Sequence, residues 1–203
     1  MSYFQSIYFV GFTQFAKIKK NDIRKKKGDI MRKVQFYGAI SLDGYLATEK
    51  HDLQWLLDTQ GGDKANTEKF LKKVDTTIMG RKTYDVSKGL MNGALQFPDK
   101  TNYVLSRTKH GEVADAKYVQ ESPMQLVQEL LAQPGGNIWI VGGGQLVVDL
   151  LENDLIDEWW IQIAPVLLGK GIRLFPNGDY STHLKLLDVN RYDQLAEVHL
   201  CKK

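Results

Sequence analysis

Hydrophobic and polar positions change period several times along the chain, and each change marks an element. Residues 138–141 form a continuous β-branched and aromatic run that breaks at Gly142, Gly143 and Gly144. Apolar side chains then recur at Leu146, Val147, Leu150 and Leu151, the spacing of an amphipathic helix. The pattern predicts strand, glycine turn, helix. Residues 76–79 repeat the arrangement, a short strand running into Gly80-Arg81-Lys82-Thr83-Tyr84 at the start of another helix. Val34, Phe36, Ala39 and Ile40 predict a buried strand over 33–40, ended by Ser41-Leu42-Asp43-Gly44, where Asp-Gly marks a turn. Leu53, Trp55, Leu56 and Leu57 make an apolar patch closed by Gly61-Gly62. Asp63 or Asn66 then caps a helix with Phe70, Leu71 and Val74 on its inner face.

A further strand spans 101–105 and ends in Ser106-Arg107-Thr108. Ser122 reads as a helix cap with Pro123 at the first helical position and Gln125 completing a capping box, while Leu126, Val127, Leu130 and Leu131 face the core. Residues 155–164 predict a long strand, in which Asp157 and Glu158 read as exposed charges and one of the adjacent Trp159 and Trp160 looks outward. Residues 165–175 read as a glycine-punctuated loop. Segments 183–189 and 195–200 alternate as an antiparallel terminal hairpin with 190–193 in the turn. Strands alternating with helices predict an α/β fold: a mostly parallel central sheet, helices on both faces, and the hairpin at one edge.

Composition changes this picture little. At 203 residues, 43% hydrophobic and 25% charged, the chain suits one globular domain. The single cysteine, Cys201, rules out an intramolecular disulfide and suits a reducing cytoplasm. His51, His110, His183 and His199 are scattered without metal-ligand spacing, so no metal is expected. A pI of about 8.8 invites a nucleic-acid reading. However, the first thirty residues hold seven cations against two acids, so with a whole-chain charge of +3 the remainder is mildly acidic. Such a body has no general attraction for phosphate backbones, and neither nucleic acid nor membrane is expected as its partner.

Residues 1–30 are aromatic first and lysine-rich afterwards, the inverse of a secretory signal, and their apolar part is too short to span a bilayer. A basic membrane anchor or a nucleic-acid arm shares this make-up. A strand pattern begins directly after Met31, and residues 26–30 can be encoded by purine-rich codons resembling a bacterial ribosome-binding site. Translation is therefore expected to start at Met31, with 1–30 an extension outside the fold and 31–203 the domain.

Glycines between a strand and a helix remove the Cβ atoms that would hold a ligand away, so N–H groups at the helix start can meet a pyrophosphate. A plain tight turn is the alternative. The dinucleotide fingerprint is incomplete, because Val147 stands where its last glycine falls. Taken together, Ser41-Leu42-Asp43-Gly44-Tyr45, Met79-Gly80-Arg81-Lys82-Thr83-Tyr84, Val104-Leu105-Ser106-Arg107, Ile140-Val141-Gly142-Gly143-Gly144 and Pro165-Val166-Leu167-Leu168-Gly169-Lys170-Gly171 resemble the dihydrofolate-reductase-like superfamily in order and spacing. The nearest branch is the reductase domain of bacterial riboflavin biosynthesis and its stand-alone relatives, and the resemblance covers 31–203.

The resemblance implies a three-layer α/β fold with NADPH across the strand ends. Ala39 and Leu46 match backbone positions that hold the nicotinamide carboxamide. Gly80, Arg81, Lys82 and Thr83 match a phosphate-binding helix start, Ser106 and Arg107 the segment reading the adenosine 2′-phosphate, and Gly142, Gly143, Gly144, Gln145 and Leu146 the second pyrophosphate turn. Guanidinium forks suit that extra phosphate, although Arg81 and Arg107 also read as a solvated surface pair. Departures concern the substrate. Gln60 stands where folate reductases carry their acid, and Lys100 replaces the arginine that clamps the folate tail; zinc ligands of an attached deaminase are absent from the sequence.

The expected activity is hydride transfer from NADPH to a C=N or C=O carbon of a small, pteridine- or pyrimidine-like heterocycle. Asp43 and Asp58 are the candidate acids, although Asp43 is also the natural residue of its turn. Trp55 is read as a core or pocket-wall aromatic. The rival classes are an NADPH-binding sensor without turnover and an adaptor using the basic segment. The pair Trp159-Trp160 suggests an edge for a homodimer.

Overall fold

The structure, a computed structural model, describes residues 32–65, 67–93 and 97–203. Residues 1–30, Met31 and Asn66 lie outside the described residues, and the expectations placed on them with them. Among the described residues, eleven strands and five helices follow one another: β1 (Val34–Ser41), β2 (Tyr45–Ala47), α1 (Gln54–Leu57), α2 (Thr67–Leu71), β3 (Val74–Gly80), α3 (Arg81–Leu90), β4 (Thr101–Leu105), β5 (Gly111–Val113), β6 (Ala116–Val119), α4 (Pro123–Leu131), β7 (Asn137–Gly142), α5 (Gly144–Glu152), β8 (Glu158–Ala164), β9 (Ile172–Arg173), β10 (Leu184–Tyr192) and β11 (Leu195–Lys202). Nine strands form one sheet in the order β10-β11-β8-β1-β7-β3-β4-β6-β5. Its centre, from β8 to β6, is parallel, and β10 and β11 add the antiparallel edge expected at the C-terminus.

Strand alternation assigns the two faces. Val34, Phe36, Ile78, Ile138, Ile140, Trp159 and Ile161 point to one side and pack with Leu126, Val127 and Leu130 of α4 and Leu146, Val147 and Leu150 of α5. Tyr37 and Trp139 point to the other, with Phe70 of α2, and Met79 and Val104 pack there with Tyr84 of α3. Helices therefore cover both faces. Phe36 and Trp159 sit at the centre with their rings 5.6 Å apart, and truncating either would cost about 3–5 kcal/mol.

Several expectations are corrected. Val74 opens β3 instead of extending the α2 helix, and Asp63 lies in a turn ahead of it. The terminal strands run through 190–192, pairing Tyr192 with Leu195 and leaving Asp193 and Gln194 in the turn. The 165–175 loop contains β9, which pairs with β2. Asp157 accepts the Val34 N–H at 2.8 Å, and Glu158 is buried against Lys33 and Gln35, so neither is a free surface charge. Trp159 is 1% exposed, and Trp160 stacks on His199 and meets Phe70 edge-on, so both indoles are covered. Among the described residues, no helix is long and apolar enough to cross a membrane, and no group of three or more His, Cys, Asp or Glu could hold a metal ion.

Candidate functional site

Pairing between β1 and β7 runs from Val34–Ile138 to Phe36–Ile140 and stops there. Beyond that point β1 stays with β8 as far as Ser41–Ala164, while β7 stays with β3 as far as Met79–Gly142. The two central strands thus part at their carboxyl ends. The indole N–H of Trp139 donates to the Tyr37 carbonyl at 3.0 Å. A crevice opens above this fork, the usual place for a ligand in an open α/β sheet.

Two lobes share Gly80, Lys82, Val86, Gln145 and Leu146 and form one continuous groove. The outer lobe, about 1100 Å³, is lined by Arg81, Ser106 and Arg107. The inner lobe, about 440 Å³, is lined by Ala39, Leu46, His51, Leu53, Leu56, Thr83 and Val141, with Gly142, Gly143 and Gly144 along its side. Every residue named from the sequence as a nucleotide contact lines one lobe or both.

Both strand–glycine–helix junctions open onto this groove. Gly80 caps α3 and Gly143 caps α5; neither start has a side-chain cap or an acidic residue in its first turn. Helix-start N–H groups with the positive end of the helix dipole behind them suit an anion. Glycine is required at two positions for separate reasons. Gly142 has φ +136°, and a Cβ on Gly144 would lie 2.3 Å from the Arg173 carbonyl oxygen. Arg81 ion-pairs with Asp85 at 3.2 Å on the exposed face of α3. The buried Ser106 hydroxyl accepts the N–H groups of Thr108 and Lys109 at 3.3 and 3.0 Å, fixing the turn that carries Arg107.

The residues expected on the substrate side are placed differently. Asp43 accepts the Ser41 hydroxyl at 2.6 Å and the N–H groups of Leu168 and Gly169 at 3.1 and 2.7 Å. Those hydrogen bonds, led by Ser41, hold its carboxyl down at about 2, so at neutral pH it is a carboxylate tying two loops together and has no proton to give. Asp58 is exposed, ends α1 and accepts the Gln54 amide at 2.8 Å, away from both lobes. Trp55 is half-buried and lines neither lobe; Leu53 and Leu56 supply the wall instead, because the single turn of α1 turns them inward. Lys100 lines neither lobe. Its ammonium donates to the Leu71 and Val74 carbonyls at 3.1 and 3.0 Å, bracing α2 against β3.

His51 is a titratable groove residue that sequence reasoning missed. It sits between the first two motifs with no periodic or spacing signal, and only the loop's closure brings it into the inner lobe. Burial first, and the nearby Lys82 second, push its imidazole below the usual histidine range.

Comparison with known proteins settles the family. Residues 32–196 match the model of the RibD C-terminal domain. The chain belongs to the RibD C-terminal domain family. Among its relatives, YwjB of Bacillus subtilis is 34% identical over 169 residues, spanning 83% of this chain and 97% of YwjB. YyaP of the same organism is 28% identical over 165 residues, spanning 76% and 86%. A Shewanella sp. PV-4 structure assigned to riboflavin biosynthesis superposes with TM-score 0.73 at 29% identity, covering 85% of this chain and 99% of that one. The Thermotoga maritima diaminohydroxyphosphoribosylaminopyrimidine deaminase/5-amino-6-(5-phosphoribosylamino)uracil reductase shares the fold, with TM-score 0.65 at 16% identity over 85% of this chain and 57% of that one. The chain is thus a RibD C-terminal domain built on that fold.

Proposed function

We propose that this RibD C-terminal domain is an NADPH-dependent reductase acting on a C=N or C=O carbon of a small, pteridine- or pyrimidine-like heterocycle. One observation carries the reading: two uncapped glycine helix starts open onto a single groove that has arginines at one end and an apolar lobe at the other. When bound, the reduced nicotinamide supplies the hydride. The chain's own part is to bind, orient and exclude water. Backbone N–H groups at the starts of α3 and α5 would hold the pyrophosphate. Arg107 and Arg81 would hold the adenosine 2′-phosphate through charge-assisted hydrogen bonds. Ala39, on β1 beyond the fork, and Leu46, on β2, would orient the nicotinamide in the inner lobe.

Titration calorimetry with NADPH and NADH tests the binding half, and NADPH oxidation across ring-imine and ring-carbonyl acceptors tests turnover. Preference for NADPH with stoichiometric oxidation is the expected result. Binding without oxidation by any acceptor would favour a sensor instead, a reading encouraged by the absence of a carboxylate among the described residues lining the inner lobe. Failure to bind either coenzyme at millimolar concentration would end both.

We place the activity in the cytoplasm, in keeping with one unpaired cysteine, and in a homodimer. Support for the dimer comes from β10, the outermost strand among the described residues, which exposes Leu186, Leu187 and Val189. Light scattering showing a monomer at all concentrations would reject it.

A further inference from the structure

Reduction of a C=N or C=O bond needs a proton as well as a hydride, and the two carboxylates considered for it lie elsewhere. Only two titratable side chains line the inner lobe among the described residues: His51, from the loop after β2, and Lys82, from the first turn of α3. Apart from the hydroxyls of Thr83 and Ser87 and the amide of Gln145, the rest of the lining is apolar or glycine. Lys82 sits where the two lobes meet, on the pyrophosphate side. His51 belongs to the inner lobe alone.

The loop around His51 fixes it. Its N–H donates to the Thr48 carbonyl at 2.9 Å, Thr48 donates to the Asp52 carbonyl at 3.2 Å, and the Thr48 hydroxyl accepts the Asp52 N–H at 3.0 Å. This closure holds His51 at φ +63°, a left-handed conformation in which asparagine or glycine is more at ease. A residue with a backbone cost at that position offers its imidazole to the lobe in return.

We propose that His51 is a catalytic residue that meets the ring nitrogen or oxygen of the substrate and delivers the proton completing its reduction. The inference rests on the reductase reading above. For a ring imine, the substrate carbon gains hydrogen with its electron pair from the reduced nicotinamide, forming C–H. The π pair of C=N moves onto nitrogen and takes the imidazolium proton, forming N–H. Each turnover consumes one reduced nicotinamide and one proton and leaves neutral imidazole, which solvent reprotonates. The apolar walls formed by Leu53, Leu56 and Ile172 suit an uncharged planar ring, not one bearing a phosphate of its own.

Burial and Lys82 make the imidazolium a stronger acid than usual, and its population grows only as pH falls below the ordinary histidine range. Lys82 is the charged group facing it from α3. On its own loop, Glu49 pairs with Lys170, and Asp52 accepts the Gln54 N–H at 2.9 Å.

The test compares wild type with His51→Asn, which suits the left-handed backbone and keeps a donor but cannot titrate. The probe is 6,7-dimethyl-7,8-dihydropterin, an uncharged ring imine. NADPH affinity by calorimetry should agree within twofold between the two proteins. At pH 7 the variant should oxidise NADPH about 100-fold more slowly. From pH 8 to 5, corrected for acid decay of NADPH, the wild-type rate should climb as pH falls, whereas the variant's stays flat. Independently of turnover, the imidazole proton resonance missing from the variant should shift when the probe is added to the wild-type NADP complex. The proposal is overturned by the same acid limb in both proteins, by an unmoved resonance, by no oxidation of NADPH with this probe, or by a loss of NADPH affinity above tenfold in the variant. Wild type that binds neither coenzyme instead overturns the reductase reading and His51's role with it.

Discussion

Helix α4 begins very differently from helices α3 and α5. At α4 the Ser122 hydroxyl accepts the Gln125 N–H at 3.2 Å, the Gln125 side chain accepts the Ser122 N–H at 3.3 Å, and Pro123 has no N–H to satisfy. At α3 and α5 glycine stands at the cap and no side chain closes the turn. A serine or aspartate cap is worth a few tenths of a kcal/mol over glycine, and two helices forgo it where they face the groove. Where a helix start has only to resist fraying, the chain supplies its own acceptor; where it faces the crevice, no side chain takes up the donors. The glycines therefore serve access as well as turning.

The most damaging change should be Gly144→Ala, whose methyl would collide with the Arg173 backbone. We expect a loss of about 3 kcal/mol in urea unfolding together with loss of NADPH binding. A fully stable variant would mean that the α5 junction is looser than its geometry indicates. Next, Arg107→Ala and Arg81→Ala should each weaken NADPH by about 1.5–3 kcal/mol in calorimetry while leaving NADH nearly unchanged; equal losses would misplace the adenosine end.

Gly80→Ser turns α3 into an α4-like start. Its φ of −71° and ψ of 152° suit a cap, and a Cβ there meets nothing within 4 Å. Stability should rise by a few tenths of a kcal/mol while NADPH affinity falls about tenfold, or 1.4 kcal/mol. A gain in both would break the comparison. The converse, Ser122→Ala, should cost about 1 kcal/mol in thermal or urea unfolding and leave NADPH affinity alone.

Asp43 provides the smallest effect. Its folded pKa of about 2 lies below the ordinary 3.8, so its carboxylate stabilises the fold above pH 4, and that contribution is lost as pH falls toward 2. Melting temperature followed from pH 5 to 2 should fall less steeply in Asp43→Asn than in wild type. Parallel curves would show that the hydrogen bonds from Leu168 and Gly169 do not depend on its charge.

Much of the fold was legible in the chain because its strands are buried runs and its helices have clean faces. The capping box at Ser122 and β4 over Thr101–Leu105 follow from local pattern alone. The strands missed are β2, β5, β6 and β9, two to four residues each, too short for any period to appear. They exist because a partner strand lies alongside, as Tyr45 finds Arg173. The groove's phosphate-type positions were readable because glycine junctions are contiguous in sequence. The substrate side was not, because its wall is assembled from the loop after β2, α1 and β9.

The sequence by itself determined the alternation of strand and helix, the two open glycine junctions and the cationic segment after β4, all of them properties of neighbouring residues. Tertiary structure decided which of them share a space. The fork between β1 and β7 exists because each strand ends on a different partner, β8 or β3. Asp43 is held as a carboxylate by the Ser41 hydroxyl first and then by N–H groups some 125 residues away, and His51 enters the lobe through a left-handed turn. Local pattern reports what a residue can do; hydrogen bonds across long sequence separations determine whether its side chain is still free to do it.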